Sequence, residues 1–163
     1  MTKDTPIAIR VTSEPRYLCV VRAAVEAAAD RLGLSEDEAA KLVLAVDEAM
    51  TNTIRHGYQG QPGRPIWVTL SPVESDGGDR REGIEVVIED ETTGIDVSQI
   101  RPRPRDQSKP GGLGMHIIRE AVDEARYEPR GDGPGLRLTL RKYHRDGAAR
   151  AAAGQSQKRT RHA

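Results

Sequence analysis

Residues 47–58 read Asp-Glu-Ala-Met-Thr-Asn-Thr-Ile-Arg-His-Gly-Tyr. The run has a helical pattern, and in it Glu48 and Asn52 stand four residues apart. That spacing puts a carboxylate and an amide one turn apart on one helix face. With about 100° per residue and Glu48 as origin, Asn52 falls at about 40°. Val43, Val46, Met50 and Ile54 fall between about 160° and 240°, nearly opposite. A carboxylate can orient or deprotonate a nucleophile. An amide oxygen is a hard ligand suited to Mg²⁺, which also holds nucleotide phosphates. Taken alone, the pair is better read as an ordinary solvated helix face.

The helix carrying this pair opens at Ser35-Glu36-Asp37-Glu38. Ser35 is the cap and Glu38 the residue that reaches back, and the helix is expected to run to about His56 and stop at Gly57. Before it, Leu18, Val21, Val25, Ala28 and Leu32 recur at intervals of three and four. They predict an amphipathic helix capped by Ser13, with Pro15 in its first turn, ending near Gly33. Ile7, Ile9 and Val11 alternate and predict a strand over 6–12.

After it, Ile66, Val68 and Leu70 alternate, as do Ile84, Val86 and Ile88. These are two strands joined by the loop Ser75-Asp76-Gly77-Gly78-Asp79. Residues 101–112 have no periodicity and are rich in Pro, Arg and Gly, the composition of a mobile loop. Ile117, Ile118, Ala121 and Val122 mark a third helix. A strand over 124–129, a Gly-Asp-Gly turn at 131–133 and a strand with Leu136, Leu138 and Leu140 inward predict a closing hairpin. Consecutive strands close enough for hairpins predict an α+β fold: a mixed or antiparallel sheet covered on one face by helices. The folded domain is placed at 5–143, and 144–163 reads as a disordered basic tail.

With 163 residues the chain can bury a core without staples. Cys19 is the only cysteine, so an internal disulfide is excluded and a reducing compartment is expected. Its helical, apolar surroundings predict a core thiol. No signal segment is apparent, and no apolar run approaches the roughly 18 residues of a membrane span. The expectation is a soluble, cytoplasmic protein with no membrane partner. Twenty-five basic residues balance 25 acidic ones, so bulk charge gives no argument for nucleic acid. Four Tyr, one Trp and no Phe make a base-stacking platform for single strands unlike this chain.

Two further segments carry chemistry. Glu89-Asp90-Glu91-Thr92-Thr93-Gly94-Ile95-Asp96 directly follows the strand ending at Ile88. An Asp at a strand end can accept a hydrogen bond from a purine amine, and a nearby Gly lets backbone approach a flat ring. An ordinary strand-ending turn would look the same. Gly111-Gly112-Leu113-Gly114-Met115-His116 opens the third helix. Glycines there leave backbone N–H groups free to face phosphate oxygens at the positive end of the helix. The segment is neither a dinucleotide fingerprint nor a P-loop.

In this order and spacing the three segments resemble the GHKL ATPase superfamily, the Bergerat-type nucleotide fold of gyrase and histidine kinases. Val46-Asp47-Glu48-Ala49-Met50-Thr51-Asn52, His56-Gly57-Tyr58 and Gly111 to Ile118 look most like the anti-sigma factor serine/threonine kinases. The resemblance covers residues 5–142. It implies Glu48 as the general base that orients a substrate Ser hydroxyl, and Asn52 as the Mg²⁺ ligand. It implies Asp90 on the adenine amine, Gly94 lining the ring, and Gly112, Gly114 and Met115 at the phosphates. Residues 97–111 would form a lid, in which Arg101, Arg103, Arg105 and Lys109 could neutralise phosphate charge; a solvated basic loop is the competing reading. His56 would be structural, closing the helix near Tyr58. The resemblance further implies ATP and Mg²⁺ as cofactors, and a sigma factor and a STAS-type anti-anti-sigma protein as partners. It also implies a homodimer.

Two positions depart from the family pattern. Thr92 stands where Asp-x-Gly-x-Gly has its central glycine, and Pro134 follows Gly133 where Gly-Thr is usual. Both touch the adenine end, so weak ATP binding would be consistent with them. They also keep a rival open: a non-catalytic partner-switching adaptor on the same fold. A nucleic-acid-binding domain acting through the basic tail is disfavoured by the zero net charge.

Overall fold

The computed structural model describes residues 6–74, 82–94 and 113–144. The loop at 75–79, the residues 97–111, Gly112, Lys109 and the tail beyond His144 lie outside the described residues. Five strands form one sheet: β1 (Ile7–Thr12), β2 (Pro65–Glu74), β3 (Glu82–Asp90), β4 (Glu124–Pro129) and β5 (Leu136–Tyr143). Their order is β1-β2-β3-β5-β4 and every pairing is antiparallel. Among the described residues there are three α-helices, α1 (Leu18–Arg31), α2 (Glu36–Asn52) and α3 (Leu113–Ala121).

The strands alternate because one sheet face is buried and the other is wet. Ile66, Val68 and Leu70 of β2 pair with Asp90, Ile88 and Val86 of β3. Val86 and Ile88 in turn pair with Leu140 and Leu138 of β5. These side chains meet Val21 and Val25 of α1, Leu42, Val46 and Met50 of α2, and Ile118 of α3 in a single core. Each such fully buried aliphatic side chain contributes on the order of 1.5–3 kcal/mol. The opposite face is mostly polar, with Val87 and Tyr143 buried on it; there Arg141 bonds Glu85 at 2.7 Å and lies 3.3 Å from Glu124.

Helix ends follow their local chemistry. Ser35 Oγ accepts from the Glu38 N–H, and Glu38 Oε2 accepts from the Ser35 N–H at 2.8 Å, a closed capping box. At the end of α1, Gly33 takes φ 89°. The Gly33 N–H donates to the Asp30 carbonyl and the Leu34 N–H to the Ala29 carbonyl. This double closure satisfies the last carbonyls, and the left-handed residue is the glycine that tolerates it.

Two expectations at the amino-terminal end are corrected. Ser13 caps no helix: a 3₁₀ turn at Pro15–Tyr17 precedes α1, with Glu14 before it. The Ser13 hydroxyl donates to the Gln61 carbonyl at 2.6 Å and accepts from the Arg64 N–H at 3.1 Å. It ties the loop before β2 to the end of β1. Cys19 is not a core thiol but is exposed, and its Sγ lies 3.1 Å from the Arg16 carbonyl. The buried side of α1 is formed by Val21, Val25, Ala28 and Ala29. No helix among the described residues is long and apolar enough to cross a membrane.

Candidate functional site

Helix α2 presents its core residues Leu42, Ala45, Val46, Ala49 and Met50 to the sheet. That packing fixes its rotation, so Glu48 and Asn52 emerge along the flank of that face, both half-buried. The last turn is not α-helical: residues Thr53–Gly57 form a π-helical turn. Such a turn widens the helix by one residue, and it occurs here at the end of the face that carries Glu48 and Asn52. His56 lies exposed on this turn. The anchor is Tyr58, 4% exposed, whose hydroxyl donates to the Pro65 carbonyl at 2.6 Å and accepts from the Glu91 N–H at 2.7 Å. Burial pushes its phenol above the ordinary value.

Helix α3 packs along α2 and brings the phosphate-type glycine to the carboxylate and amide. At Gly114 an added Cβ would lie 2.9 Å from Glu48 Oε2 and 3.2 Å from Asn52 Nδ2. Glycine is therefore the residue that lets the amino-terminal turn of α3 approach this pair. Met115 follows, half-buried. Glu48, Asn52 and Gly114 belong to two helices and meet at one place. Glu48 and Asn52 supply hard oxygen donors there, a set that fits Mg²⁺ held by one or two protein groups together with phosphates. Among the described residues no cluster of three or more His, Cys, Asp or Glu side chains forms a complete metal site.

Asp90, at the end of β3, is 3% exposed. It is joined to the end of α2 by the Thr53 hydroxyl, which donates to Asp90 Oδ2 at 3.2 Å. Oδ1 accepts from the Thr92 N–H at 2.9 Å, from the Thr92 hydroxyl and from the Leu136 N–H at 3.1 Å. Thr92, itself 5% exposed, thus turns its hydroxyl inward, while its methyl packs against Gly57. Gly135 lies so close to the Asp90 carbonyl that any side chain there would collide with it. That contact lets β5 begin beside Asp90. Gly94 takes φ +78°, and among the described residues an added Cβ would meet nothing within 4 Å. Its glycine answers to backbone conformation.

The structure therefore gathers Glu48, Asn52, Gly114 and Asp90 around the carboxy-terminal end of α2. Thr53 and Leu136 were not among the sequence candidates. Thr53 carries no local signal beyond following Asn52, and the Leu136 N–H acquires its role only through sheet register.

Comparison with known proteins adds a second kind of observation. The family model described as the histidine kinase-like ATPase domain matches residues 11–142. The serine-protein kinase RsbW of Bacillus subtilis is 28% identical over 145 residues, with 84% of each chain covered. The serine-protein kinase RsbW of Oceanobacillus iheyensis is 25% identical over 145 residues, with 84% of this chain and 85% of that one covered. A crystal structure of the RsbU and RsbW domains of Rv1364c from Mycobacterium tuberculosis superposes with a TM-score of 0.54 at 22% identity. The superposition covers 85% of this chain and 32% of that longer one, and shows a shared fold.

Proposed function

The chain belongs to the family of histidine kinase-like ATPase domains, and from that we propose that it is an anti-sigma factor with ATP-dependent protein serine/threonine kinase activity. One observation carries the reading: Gly114 of α3 sits against Glu48 and Asn52 of α2, which joins a candidate base, a hard-ligand amide and a helix amino terminus in one place. Similarity to relatives named serine-protein kinases over most of their length supports it.

In this reading adenine binds at the Asp90 end of the site and the phosphates at the Gly114 end. The substrate is a Ser or Thr hydroxyl on a STAS-type anti-anti-sigma protein. Glu48 orients that hydroxyl and takes its proton as the oxygen bonds to the terminal phosphorus; the bond from that phosphorus to the bridging oxygen breaks and ADP leaves. Most of the acceleration comes from positioning and charge neutralisation. Asn52 would hold Mg²⁺, which supplies positive charge to the phosphates when bound. Helix α3 directs its positive end at the same charge. Gly112 and Lys109 are assigned to the phosphates by motif position alone, and Gly94 to the ring. A sigma factor is the second partner, bound through a protein surface. A homodimer and a cytoplasmic, stress-response setting belong to the same reading.

The test is incubation with labelled ATP, Mg²⁺ and candidate STAS-domain proteins from the same genome. Label transferred to a Ser or Thr, and lost in Glu48→Gln, is the expected result. A second reading has a specific observation behind it: Asp90 is buried and already bonded by Thr53, Thr92 and Leu136. A partner-switching adaptor with little nucleotide binding would tolerate that arrangement. Calorimetry showing no ADP binding at millimolar concentrations would select it.

A further inference from the structure

Each oxygen of a carboxylate offers about two lone-pair sites. Asp90 Oδ1 carries three donors, the Thr92 N–H, the Thr92 hydroxyl and the Leu136 N–H. It has no capacity left. Among the described residues Oδ2 carries one donor, the Thr53 hydroxyl at 3.2 Å. Any further group that Asp90 is to bind must therefore come to Oδ2.

The side of approach follows from burial. Thr92 is 5% exposed, its hydroxyl faces Oδ1 and its methyl is fixed against Gly57. Thr53 is half-buried and stands at the end of α2, next to Asn52 in the chain. An incoming ring edge thus meets Asp90 Oδ2 and the Thr53 oxygen together.

From this we propose that Thr53 is a second base-reading residue, acting with Asp90 to select adenine. The exocyclic amine of the base donates to Asp90 Oδ2. The Thr53 O–H then turns its proton away from Oδ2 and donates it to the ring nitrogen beside the amine. A hydroxyl proton rotates to suit its partner, so no heavy atom of the protein has to move. The pair then presents one acceptor and one donor side by side. An adenine edge is complementary to that pattern. A hypoxanthine or guanine edge is not: it sets a carbonyl oxygen against the Asp90 carboxylate, and that repulsion is what rejects it, since the Thr53 oxygen can accept from the ring N–H while still donating to Oδ2. A site built around such a pattern discriminates strongly against a base that leaves its polar groups unpaired. The nearby Thr92 hydroxyl cannot take this part, because it is spent on Oδ1 and held inward.

The inference rests on the ATP reading of the site, and the experiment separates the two. Binding of ADP, of IDP and of the ADP analogue in which the ring nitrogen beside the amine is replaced by C–H is measured by calorimetry. Wild type, Thr53→Val and Thr53→Ser are compared, with melting curves to establish that each is folded; Thr53→Ala replaces the Val variant if that one does not fold. Wild type and Thr53→Ser are expected to bind ADP about tenfold tighter than the C–H analogue, the scale of one net hydrogen bond. The Thr53→Val variant should lose that preference yet still favour ADP over IDP, because Asp90 remains. Equal preference for ADP over the analogue in wild type and Thr53→Val overturns the role of Thr53 and leaves the ATP reading standing. So does a wild type that does not distinguish the two. No binding of ADP to folded wild type at millimolar concentration overturns both.

Discussion

The methyl group of Thr92 occupies the space that a Cβ on Gly57 would need. One residue closes the π-helical turn after α2, and the other replaces a motif glycine after β3. The two form a matched pair, small against branched, that locks the end of α2 to the end of β3. Gly57→Ala should therefore destabilise by about 1–3 kcal/mol, the range for overpacking a closed contact. Thr92→Ser keeps the hydroxyl and removes the methyl, so it should relieve most of that loss. Denaturant unfolding of the two single variants and the double variant measures the coupling, which should be about 1 kcal/mol or more. Additive effects would mean the contact does not govern this turn.

The hydroxyl of the same residue sets a second expectation. Thr92→Val preserves shape and methyl but withdraws a donor from the buried carboxylate of Asp90. A hydrogen bond to a charged, buried group contributes about 1.5–3 kcal/mol. Unfolding of Thr92→Val should show a loss of that size, whereas a change at an exposed turn would leave stability almost unaltered. Melting temperatures with no nucleotide present are the readout.

These contacts mark where sequence reading ends. The alternation of Ile66, Val68 and Leu70 and of Ile84, Val86 and Ile88 locates two strands because one face is packed and the other carries pairs such as Glu85 and Arg141. The Ser35–Glu38 box and Gly33 locate helix ends through bonds made within a few residues. Glu48 and Asn52 are legible for the same reason: four residues of helix fix their relation. Ser13 is misread because its partners, Gln61 and Arg64, are distant in sequence, so local capping rules see only the nearby turn. Cys19 is misread because an apolar neighbourhood does not say which helix face a residue takes; it lies off the face of Val21 and Val25. Thr53 and Leu136 join the site only through tertiary contact with Asp90.

Burial also sets a pH dependence. Tyr127, on β4 and packed against the core, has its phenol pushed up to about 12 by burial, with Arg119 acting weakly the other way. The folded chain then holds that proton above the ordinary value of 10.0 at which an unfolded tyrosine releases it. Stability is full below pH 10 and is lost as pH rises from about 10 to about 12, because in that window the unfolded state binds fewer protons. Thr-to-Val changes elsewhere would not alter this slope, but Tyr127→Phe should make it shallower. It should not become flat, since Tyr58 and Tyr143 are raised as well. Urea unfolding across that pH range checks the sign, and an identical slope in Tyr127→Phe would remove Tyr127 from the account.

The contact between α3 and α2 predicts a separation of binding from chemistry. Glu48→Gln keeps size and hydrogen bonding but removes the base, so labelled phosphate transfer should fall by about 10²-fold or more while ADP affinity changes little. Gly114→Ala acts on the same place by geometry. Its Cβ would press on Glu48 Oε2 and Asn52 Nδ2 at 2.9 and 3.2 Å. Both are side-chain ends that can turn aside, so the cost to stability should be small, but the pair would no longer be held where it is. Misplacement of a reacting group by about 1 Å can cost on the order of 10²-fold in rate. Gly114→Ala should therefore lower transfer steeply with an almost unchanged melting temperature, and adding it to Glu48→Gln should cost little more, because both changes remove the same alignment. Independent, multiplying losses would mean that Gly114 serves the phosphates alone and that its approach to Glu48 has no part in the reaction.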